Sequence, residues 1–355
     1  MRVGILTSGG DCQALNATMR GLALTLYRNV KDVEIIGFID GYKGLMYEKY
    51  KKMKPKDFYD ILNVGGSILG NSRCPFKRMR IIENGFDKVK AMKNTYKKLE
   101  LDCLVVLGGN GSIKSANMLS QEGLNVIALP KTIDNDAWGT DYTFGYSSAT
   151  AIATRYLDEI KTTAASHSRV FVIEVMGHKV GHICLSAGIA AGADVILLPE
   201  IPYDIKVVAK KVKETLKNEK NYAIIACAEG AISEADALMK RKDYKAKVLA
   251  RSGRSVAYEV ADELSQEIDA EIRVSCIGHA QRGGNPNSYD REISTRFGVE
   301  GARLIIKKHY GEYVVLQGNH VTHIPLEATA GKLKYVDTEG EIVQSAKLVG
   351  ISFGE

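Results

Sequence analysis

Short apolar runs alternate with longer amphipathic segments along almost the whole of this 355-residue chain. Runs rich in Val and Ile are typical of strands buried on both faces, whereas apolar residues at every third or fourth position are typical of helices. The predicted strands are Val3–Leu6, Val33–Phe38, Cys103–Leu107, Val126–Leu129, Val170–Glu174, Val195–Leu198, Ala223–Cys227, Ile272–Ile277 and Tyr313–Leu316. The predicted helices are Leu15–Tyr27, Phe86–Leu99, Ser112–Gln121, Ser147–Thr162, Asp204–Lys217, Ser255–Ile268 and Arg291–Lys308. This alternation predicts an α/β protein built from βαβ units, with helices on both faces of parallel sheets.

Length, cysteine usage and charge narrow the class of protein. A chain of 355 residues is too long for one compact core, so two domains are expected. No apolar run approaches the length of a membrane span, and the six cysteines include no Cys-x-x-Cys pair, which favours a reduced, cytoplasmic protein. The net charge of +6 suits a protein that handles anions, but the lysine-rich segments have the pattern of solvated helix faces. We therefore expect no binding to nucleic acid or membranes.

The stretch Pro130–Asp136 follows the predicted strand Val126–Leu129 and carries two carboxylates, Asp134 and Asp136. Open α/β sheets bind ligands beyond the carboxyl ends of their strands, where one carboxylate can accept a proton and another can hold a divalent cation. Asn135-Asp136 is also a turn signal, and turns expose their carboxylates. Taken alone, the seven residues favour an ordinary Asx-rich surface turn.

Two glycine turns and one glycine-rich loop resemble phosphate sites. Gly9-Gly10 joins the first predicted strand to the first helix, and Gly108–Ser112 does the same after Cys103–Leu107. Such turns direct backbone N–H groups and a helix N-terminus at a phosphate, although neither is a Walker A loop. Between them, the loop Gly65–Arg73 ends in an arginine that would suit a bidentate phosphate clamp and would equally suit an exposed surface.

Six ordered blocks make the sequence resemble the 6-phosphofructokinase family over nearly its whole length. They are Thr7–Asp11, Gly108–Ser112, Thr132–Asp136, Ser166–Arg169, Glu174–Gly177 and Gly278–Gly284. The resemblance implies an α/β fold of two doubly wound parallel-sheet lobes with the active site in the cleft between them. It implies a phosphate-donor (ATP) lobe at residues 1–140 with a return at about 282–331. The fructose 6-phosphate lobe would be 141–281 with the C-terminal 332–355.

The resemblance also implies an activity and assigns roles to residues at matching positions. The γ-phosphoryl group of ATP would pass to the 1-hydroxyl of fructose 6-phosphate, as in glycolysis, with Asp134 as general base and Mg²⁺ as cofactor. The catalytic residues would be Asp134, Thr132, Asp136, Arg73 and Lys131, and the metal would be held by Asp136 and Asn110. The donor site would be lined by Gly10, Arg73, Cys74, Arg78, Gly109, Asn110, Gly111 and Ser112. The sugar phosphate would bind Thr132, Ile133, Asp134, Arg169, Met176, Gly177, His178, Glu229, Arg273, His279, Ala280, Gln281 and Arg282.

Arginines and a histidine at strand ends would form a cage for the 6-phosphate, and Glu229 could accept the sugar hydroxyls. In the family, the positions matching Arg169 and Arg273 reach the 6-phosphate from a neighbouring subunit. The resemblance therefore implies a homo-oligomer, a dimer or tetramer, whose sugar-phosphate sites are shared between subunits.

Several positions depart from the family pattern and keep other hypotheses open. Lys131 resembles the pyrophosphate-dependent branch, whereas Gly111 leaves room for a nucleotide, so ATP is favoured over pyrophosphate as the donor. Asn110 stands where many members have an aspartate and His178 where many have an arginine, which leaves a catalytically weakened sensor possible. A different kinase with a Gly-Gly-Asp/Asn-Gly motif is a further alternative, and sedoheptulose 7-phosphate is an alternative substrate.

The polar segment Lys240–Ser252 is predicted to be a surface excursion.

Overall fold

The computed structural model describes residues 1–218, 220–329 and 331–355, and the chain divides into two compact units. Unit 1 consists of Met1–Ser148 and Arg282–Lys334, and unit 2 of Ala149–Gln281 and Tyr335–Glu355. Each unit has its own sheet and its own buried apolar core. Among the described residues, no helix has both the length and the apolar character that a membrane crossing requires.

The described strands and helices alternate as the hydrophobic pattern predicts. The strands are β1 (Arg2–Ser8), β2 (Glu34–Phe38), β3 (Tyr50–Met53), β4 (Cys103–Gly108), β5 (Val126–Pro130), β6 (Val170–Val175), β7 (Val195–Leu197), β8 (Ala223–Ala228), β9 (Ile272–Cys276), β10 (Glu312–Gln317) and β11 (His320–Pro325). The helices are α1 (Leu15–Asn29), α2 (Tyr42–Met46), α3 (Lys88–Lys98), α4 (Asn110–Gln121), α5 (Tyr146–His167), α6 (His182–Ala190), α7 (Ile205–Asn218), α8 (Glu234–Ala237), α9 (Arg241–Ala250), α10 (Val256–Ser265), α11 (Ser288–Ile306) and α12 (Glu341–Leu348). Short 3₁₀ helices cover Pro55–Phe58, Phe76–Arg78, Gly278–Arg282 and Leu326–Thr329.

The sheet of unit 1 has seven strands in the order β11-β10-β5-β4-β1-β2-β3. Its five inner strands are parallel, and β3 and β11 pair antiparallel at the two edges. From β1 the chain winds to one side through β2 and β3 and to the other through β4 and β5, so the order reverses between β1 and β4. In open α/β sheets such a reversal opens a crevice at the carboxyl ends of the strands, where ligands bind.

The sheet of unit 2 has four strands, all parallel, in the order β7-β8-β6-β9. Its winding also reverses beside β6, which has β8 on one side and β9 on the other. The sheets of both units therefore confirm the predicted α/β class of parallel sheets, with antiparallel strands added only at the edges of unit 1.

All nine predicted strands are present, and the prediction missed the two edge strands β3 and β11. Edge strands are exposed on one side and carry polar residues, so their hydrophobic signal is weak. The predicted surface excursion Lys240–Ser252 is largely exposed, but the prediction missed that it contains the helix α9. This helix buries none of its residues, so it has no apolar periodicity for a sequence pattern to detect.

Two glycines allow helices α1 and α11 to pack closely in unit 1. A Cβ atom at Gly21 would lie 2.6 Å from the carbonyl oxygen of Thr295, and one at Gly298 would lie 2.6 Å from the backbone nitrogen of Leu22. Backbone atoms cannot move aside as a side chain can, so both positions require glycine for steric reasons.

We expect Gly298→Ala to lower the free energy of unfolding by about 1–3 kcal/mol, because the added methyl group overpacks two helix backbones. The matched control is Gly301→Ala in the same helix, where the nearest atom is the flexible Cδ1 of Leu22. Urea unfolding of both variants measures the difference, and equal stabilities would contradict the close-packing explanation.

Candidate active site

One row of paired residues aligns three loops of unit 1. Ser8 pairs with Gly108 across β1 and β4, and Gly108 pairs with Pro130 across β4 and β5. All three strands are parallel and end at this row, so the two glycine turns and the acidic stretch begin side by side. The loops are thus neighbours in space although they are far apart in the sequence.

The first glycine turn lies against the loop that carries Arg73. The backbone N–H of Gly9 donates to the carbonyl oxygen of Ser72 at 3.1 Å, and Ser8 forms a parallel bridge with Ser72. Arg73 is the next residue and its side chain is exposed. The structure therefore brings Gly10 and Arg73, both predicted for the donor site, to adjacent backbone segments.

Cys74 and Arg78 continue the same loop. The Cys74 sulfur lies 3.8 Å from the Ser72 hydroxyl, and Arg78 is exposed, with its guanidinium 3.6 Å from Glu83. Both residues lie in unit 1, and the Arg78 side chain can rearrange at small cost because exposed ion pairs are weak.

The second glycine turn opens helix α4. Gly109 is the N-cap residue, with no side-chain cap and no acidic residue in the first turn, so Asn110, Gly111 and Ser112 present the positive end of the helix. The Tyr42 hydroxyl donates to the carbonyl oxygen of Ser112 at 2.7 Å and fixes this turn from beneath.

The acidic loop is mostly buried, so the interpretation of Pro130–Asp136 as an exposed surface turn is wrong. Thr132, Asn135 and Asp136 are each less than a tenth exposed, and Asp134 is half-buried. Asn135 adopts a positive φ of 54°, and its side-chain oxygen accepts a hydrogen bond from the backbone N–H of Thr143 at 3.1 Å. The loop does form an Asx turn, but the turn is buried, because the Asn135 side-chain amide bonds to the backbone of the segment that follows.

Further hydrogen bonds fix the ends of this loop. The Thr132 hydroxyl accepts from the backbone N–H of Asp134 at 3.1 Å, and the Thr143 hydroxyl donates to the Thr132 carbonyl oxygen at 2.7 Å. The Ile133 side chain is fully buried, so only its backbone could contact a substrate. The backbone of Asp134 is thus fixed within the loop by the Thr132 hydroxyl.

Asn110 and Asp136, the two predicted metal ligands, contact each other. The Asn110 side-chain amide donates to a carboxylate oxygen of Asp136 at 2.7 Å. Only the NH₂ group of an asparagine can donate, so the Asn110 oxygen points elsewhere. Asn110 therefore orients the Asp136 carboxylate in this arrangement.

In unit 2, three predicted sugar-site residues meet at the carboxyl ends of β6 and β8. The Glu229 carboxylate accepts from the backbone N–H groups of Gly177, at 3.0 Å, and His178. His178 has a positive φ of 55° and is exposed. Met176 lies between β6 and this turn.

The block His279–Gln281 follows the carboxyl end of β9, and because β9 is parallel to β6 it lies at the same edge of the sheet as Gly177. His279 and Ala280 are exposed, and Gln281 is fully buried. Arg282 belongs to unit 1, where its guanidinium donates to the carbonyl oxygen of Asp11 at 2.9 Å. It therefore braces the first glycine turn, a contact the sequence did not predict.

Arg169 and Arg273 lie at the amino ends of strands β6 and β9, whereas Gly177 follows the carboxyl end of β6. Arg169 directly precedes β6, and Arg273 pairs with Phe171 near the start of that strand. A strand of six residues spans about 20 Å, so neither arginine can reach the turn where Gly177 contacts Glu229. Within one chain, Arg169 and Arg273 therefore lie at the opposite ends of the strands from His279.

Comparisons with known proteins identify the family. The sequence profile of the family described as phosphofructokinase matches residues 2–305, most of the chain. The chain belongs to the phosphofructokinase family. It is 46% identical to the ATP-dependent 6-phosphofructokinase of Spirochaeta thermophila, over 99% of this chain and 97% of that protein.

Solved structures share the fold. This chain superposes on the phosphofructokinase of Saccharomyces cerevisiae with a TM-score of 0.80 and 28% identity, covering 93% of this chain and 45% of the yeast chain. The pyrophosphate-dependent phosphofructokinase of Nitrosospira multiformis gives a TM-score of 0.81 at 20% identity, over 96% of this chain and 87% of that one. Fold alone therefore does not distinguish the phosphoryl donor.

Lys131 braces the first glycine turn. Its ammonium group donates to the carbonyl oxygen of Gly10, and the side chain is only 3% exposed. Burial lowers the pKa of Lys131, and Arg282 lowers it further, whereas Cys12 and Asp134 oppose the shift. Lys131 and Arg282 thus hold successive carbonyl oxygens of the turn.

A second lysine, which the sequence did not single out, braces the acidic loop. The Lys334 ammonium donates to the carbonyl oxygens of Thr140 and Asp141, both at 2.9 Å, and its backbone N–H donates to that of Asp136. Burial lowers the pKa of Lys334 to about 8. Lys334 is remote in sequence and lies in no recognisable motif, so only the structure identifies it.

We expect Lys131→Met to loosen the first glycine turn, because the charged hydrogen bond to Gly10 is lost. Amide exchange in a peptide spanning Gly9–Asp11 should accelerate about tenfold or more, the loss expected for a hydrogen bond to a charged group. The control Lys97→Met removes an exposed lysine and should leave that exchange unchanged. Unchanged exchange in Lys131→Met would show that the lysine does not hold the turn.

The same variant should have a characteristic pH dependence of stability. The pKa of Lys131 in the folded chain lies below the value of 10.5 expected in the unfolded chain, so the unfolded chain binds the proton more tightly. The resulting loss of folding stability is greatest at pH values below the folded pKa. This penalty fades as the pH rises toward 10.5. The stability of Lys131→Met relative to the unmodified chain should therefore decrease from neutral to alkaline pH in thermal unfolding.

Proposed function

We propose that this phosphofructokinase transfers the γ-phosphoryl group of ATP to the 1-hydroxyl of fructose 6-phosphate. The observation that carries the proposal is the acidic loop, which holds Asp134 through the Thr132 hydroxyl and is bonded to the first turn of helix α4 through Asp136 and Asn110. Phosphoryl transfer requires an acceptor for the hydroxyl proton, fixed positions for both substrates and neutralisation of phosphate charge. The 46% identity with a protein named ATP-dependent 6-phosphofructokinase supports the choice of substrates.

In this proposal, unit 1 binds the donor and unit 2 binds the sugar phosphate. Gly10, Gly109 and the first turn of α4 would receive the donor phosphates through backbone N–H groups, and Arg73 would contact the transferring phosphate. Asp134 would take the proton of the 1-hydroxyl, and Thr132 would help to orient the sugar.

The residues present fit Mg²⁺. This cation prefers oxygen ligands and is commonly held by one or two carboxylates together with substrate phosphates. Asp136 would supply the carboxylate, and Asn110 would fix its orientation through the 2.7 Å hydrogen bond. When bound, Mg²⁺ would neutralise charge on the donor phosphates. Asn110 carries no charge, so we propose that cation binding depends mainly on Asp136.

The environment of Gly111 favours ATP over pyrophosphate. A Cβ atom built at Gly111 has no protein atom within 4 Å, so the glycine leaves space in front of helix α4. Lys131, the residue that resembles the pyrophosphate branch, is buried and bonded to Gly10. Its contact is with the protein backbone, so it is compatible with either donor, and pyrophosphate remains the second candidate.

The position of Arg169 and Arg273 supports an oligomer. Both lie at the edge of the unit 2 sheet opposite Gly177 and Glu229, so within one chain they cannot complete the sugar-phosphate site. We propose that they reach the 6-phosphate bound to a second copy of the chain, as the family resemblance implies.

We expect Asp134→Asn to lower kcat by about 100- to 10,000-fold, the usual contribution of a general base. The Michaelis constant for fructose 6-phosphate should change much less, because an amide keeps the size and polarity of the side chain. Coupled assay of fructose 1,6-bisphosphate formation measures both constants.

The control Asp60→Asn alters an exposed aspartate of unit 1 and should leave kcat unchanged. If the unmodified chain and Asp134→Asn were equally inactive while fructose 6-phosphate still bound, the protein would be a sensor and the catalytic proposal would be wrong.

We expect Gly111→Asp to lose at least about tenfold in kcat/KM for ATP, because a carboxylate facing a phosphate costs several kcal/mol. The open space around Gly111 means that the variant should fold normally. Gly111→Asn has the same size without the charge and should lose less. Use of pyrophosphate by each protein is measured in parallel, and turnover of the unmodified chain with pyrophosphate alone would overturn the choice of ATP.

A further inference from the structure

One carboxylate bridges the two arginines at the amino edge of the unit 2 sheet. The Glu271 oxygens face different partners: one lies 2.9 Å from the Nε of Arg169, and the other pairs with the Nη2 of Arg273. Two guanidinium groups around one anion is also the arrangement that binds a phosphate through charged hydrogen bonds. Glu271 therefore occupies the place that a phosphate would take between these arginines.

The backbone keeps this group together. Glu271 immediately precedes β9, Arg169 immediately precedes β6, and the N–H of Val170 donates to the carbonyl oxygen of Glu271 at 3.0 Å. The parallel pairing of β6 with β9 places Arg273 beside Phe171. The three side chains are thus neighbours because of strand register.

The ion pairs of Glu271 with Arg169 and Arg273 form in this structure, but they are weak enough for another anion to displace the carboxylate. The Arg169 guanidinium, in an ion pair with Glu271, lowers the pKa of Glu271, so the carboxylate is ionised at neutral pH. The side chains of Arg169, Glu271 and Arg273 are 24%, 42% and 54% exposed. Exposed ion pairs are screened by water and salt and contribute little net stability, so a dianion can compete with this monoanion.

We propose that Glu271 is an internal anion that competes with the 6-phosphate of fructose 6-phosphate for Arg169 and Arg273, and so sets a lower affinity for the sugar phosphate. This inference rests on the proposed function, in which the two arginines serve the sugar-phosphate site of a second copy. When the phosphate binds, the Glu271 carboxylate moves into solvent, which its exposure permits. Glu271 is then a residue that determines affinity and takes no part in the chemistry.

The test compares Glu271→Gln with the unmodified full-length chain. The Michaelis constant for fructose 6-phosphate should fall by about two- to fivefold, the range expected from loss of an exposed ion-pair competitor, with kcat unchanged. Asp269→Asn is the matched control, since it removes an exposed carboxylate two residues away that contacts neither arginine, and it should leave the Michaelis constant unchanged. An equal decrease in both variants would show a general charge effect and overturn the inference.

A double-mutant cycle with Arg273→Gln tests whether Glu271 changes the Michaelis constant by occupying the arginines. If Glu271 acts by occupying the arginines, the effect of Glu271→Gln should shrink in the Arg273→Gln background. A purely structural role of Glu271 would give the same effect in both backgrounds and would contradict the proposal. A higher Michaelis constant in Glu271→Gln would also overturn it, by showing that the carboxylate orients the arginines for the substrate.

Calorimetric titration with fructose 6-phosphate, without a phosphoryl donor, separates this inference from the proposed function. If Glu271→Gln binds the sugar phosphate more tightly while no protein turns over with either donor, the kinase proposal fails and the inference stands. If turnover occurs but Glu271→Gln binds no more tightly than the unmodified chain, the inference fails and the kinase proposal stands. If no protein binds fructose 6-phosphate, both are wrong.

Discussion

The candidate site in unit 1 depends on the register of three parallel strands. Ser8, Gly108 and Pro130 stand opposite one another in the sheet, so β1, β4 and β5 end at one level. A slip of one residue would turn every side chain of a strand to the other face and would shift its loop relative to the others. Strands β4 and β5 are buried on both faces, so such a slip would exchange the side chains packed against each face, and the core packing opposes it. Stability and function are therefore fixed by the same pairing.

One buried and two half-buried cations hold the loops in shape. Lys131 and Arg282 bond carbonyl oxygens of the first glycine turn, and Lys334 bonds carbonyl oxygens of the acidic loop. Each of these contacts fixes the position of a carbonyl oxygen and so restricts the conformation of its loop. Burying a charged lysine destabilises a fold, as the lowered pKa values of Lys131 and Lys334 indicate. We infer that these lysines contribute loop geometry rather than stability.

Sequence patterns predicted the inner strands, most helices and the family, because buried strands and glycine turns leave strong local signals. The inward direction of the Pro130–Asp136 loop was not predictable, because it depends on Asn135 bonding to Thr143. Lys334 was missed because its partners lie almost two hundred residues away in the chain. The hydrophobic pattern alone does not show that Arg169 and Gly177 lie at opposite ends of β6, because both positions simply flank the same apolar run. Contacts distant in sequence thus decided what local patterns could not.

Trp138 is placed so that its fluorescence reports on the acidic loop. It is the only tryptophan in the chain, it lies two residues beyond Asp136, and it is 38% exposed. The ammonium group of Lys332 lies 4.1 Å from its ring centroid, and the neighbouring Ala137 and Leu333 form an antiparallel bridge. Indole emission from this protein therefore originates at one place, the surface of the acidic loop. The chain carries a native optical probe of that loop, and no label is needed to follow its movements in solution.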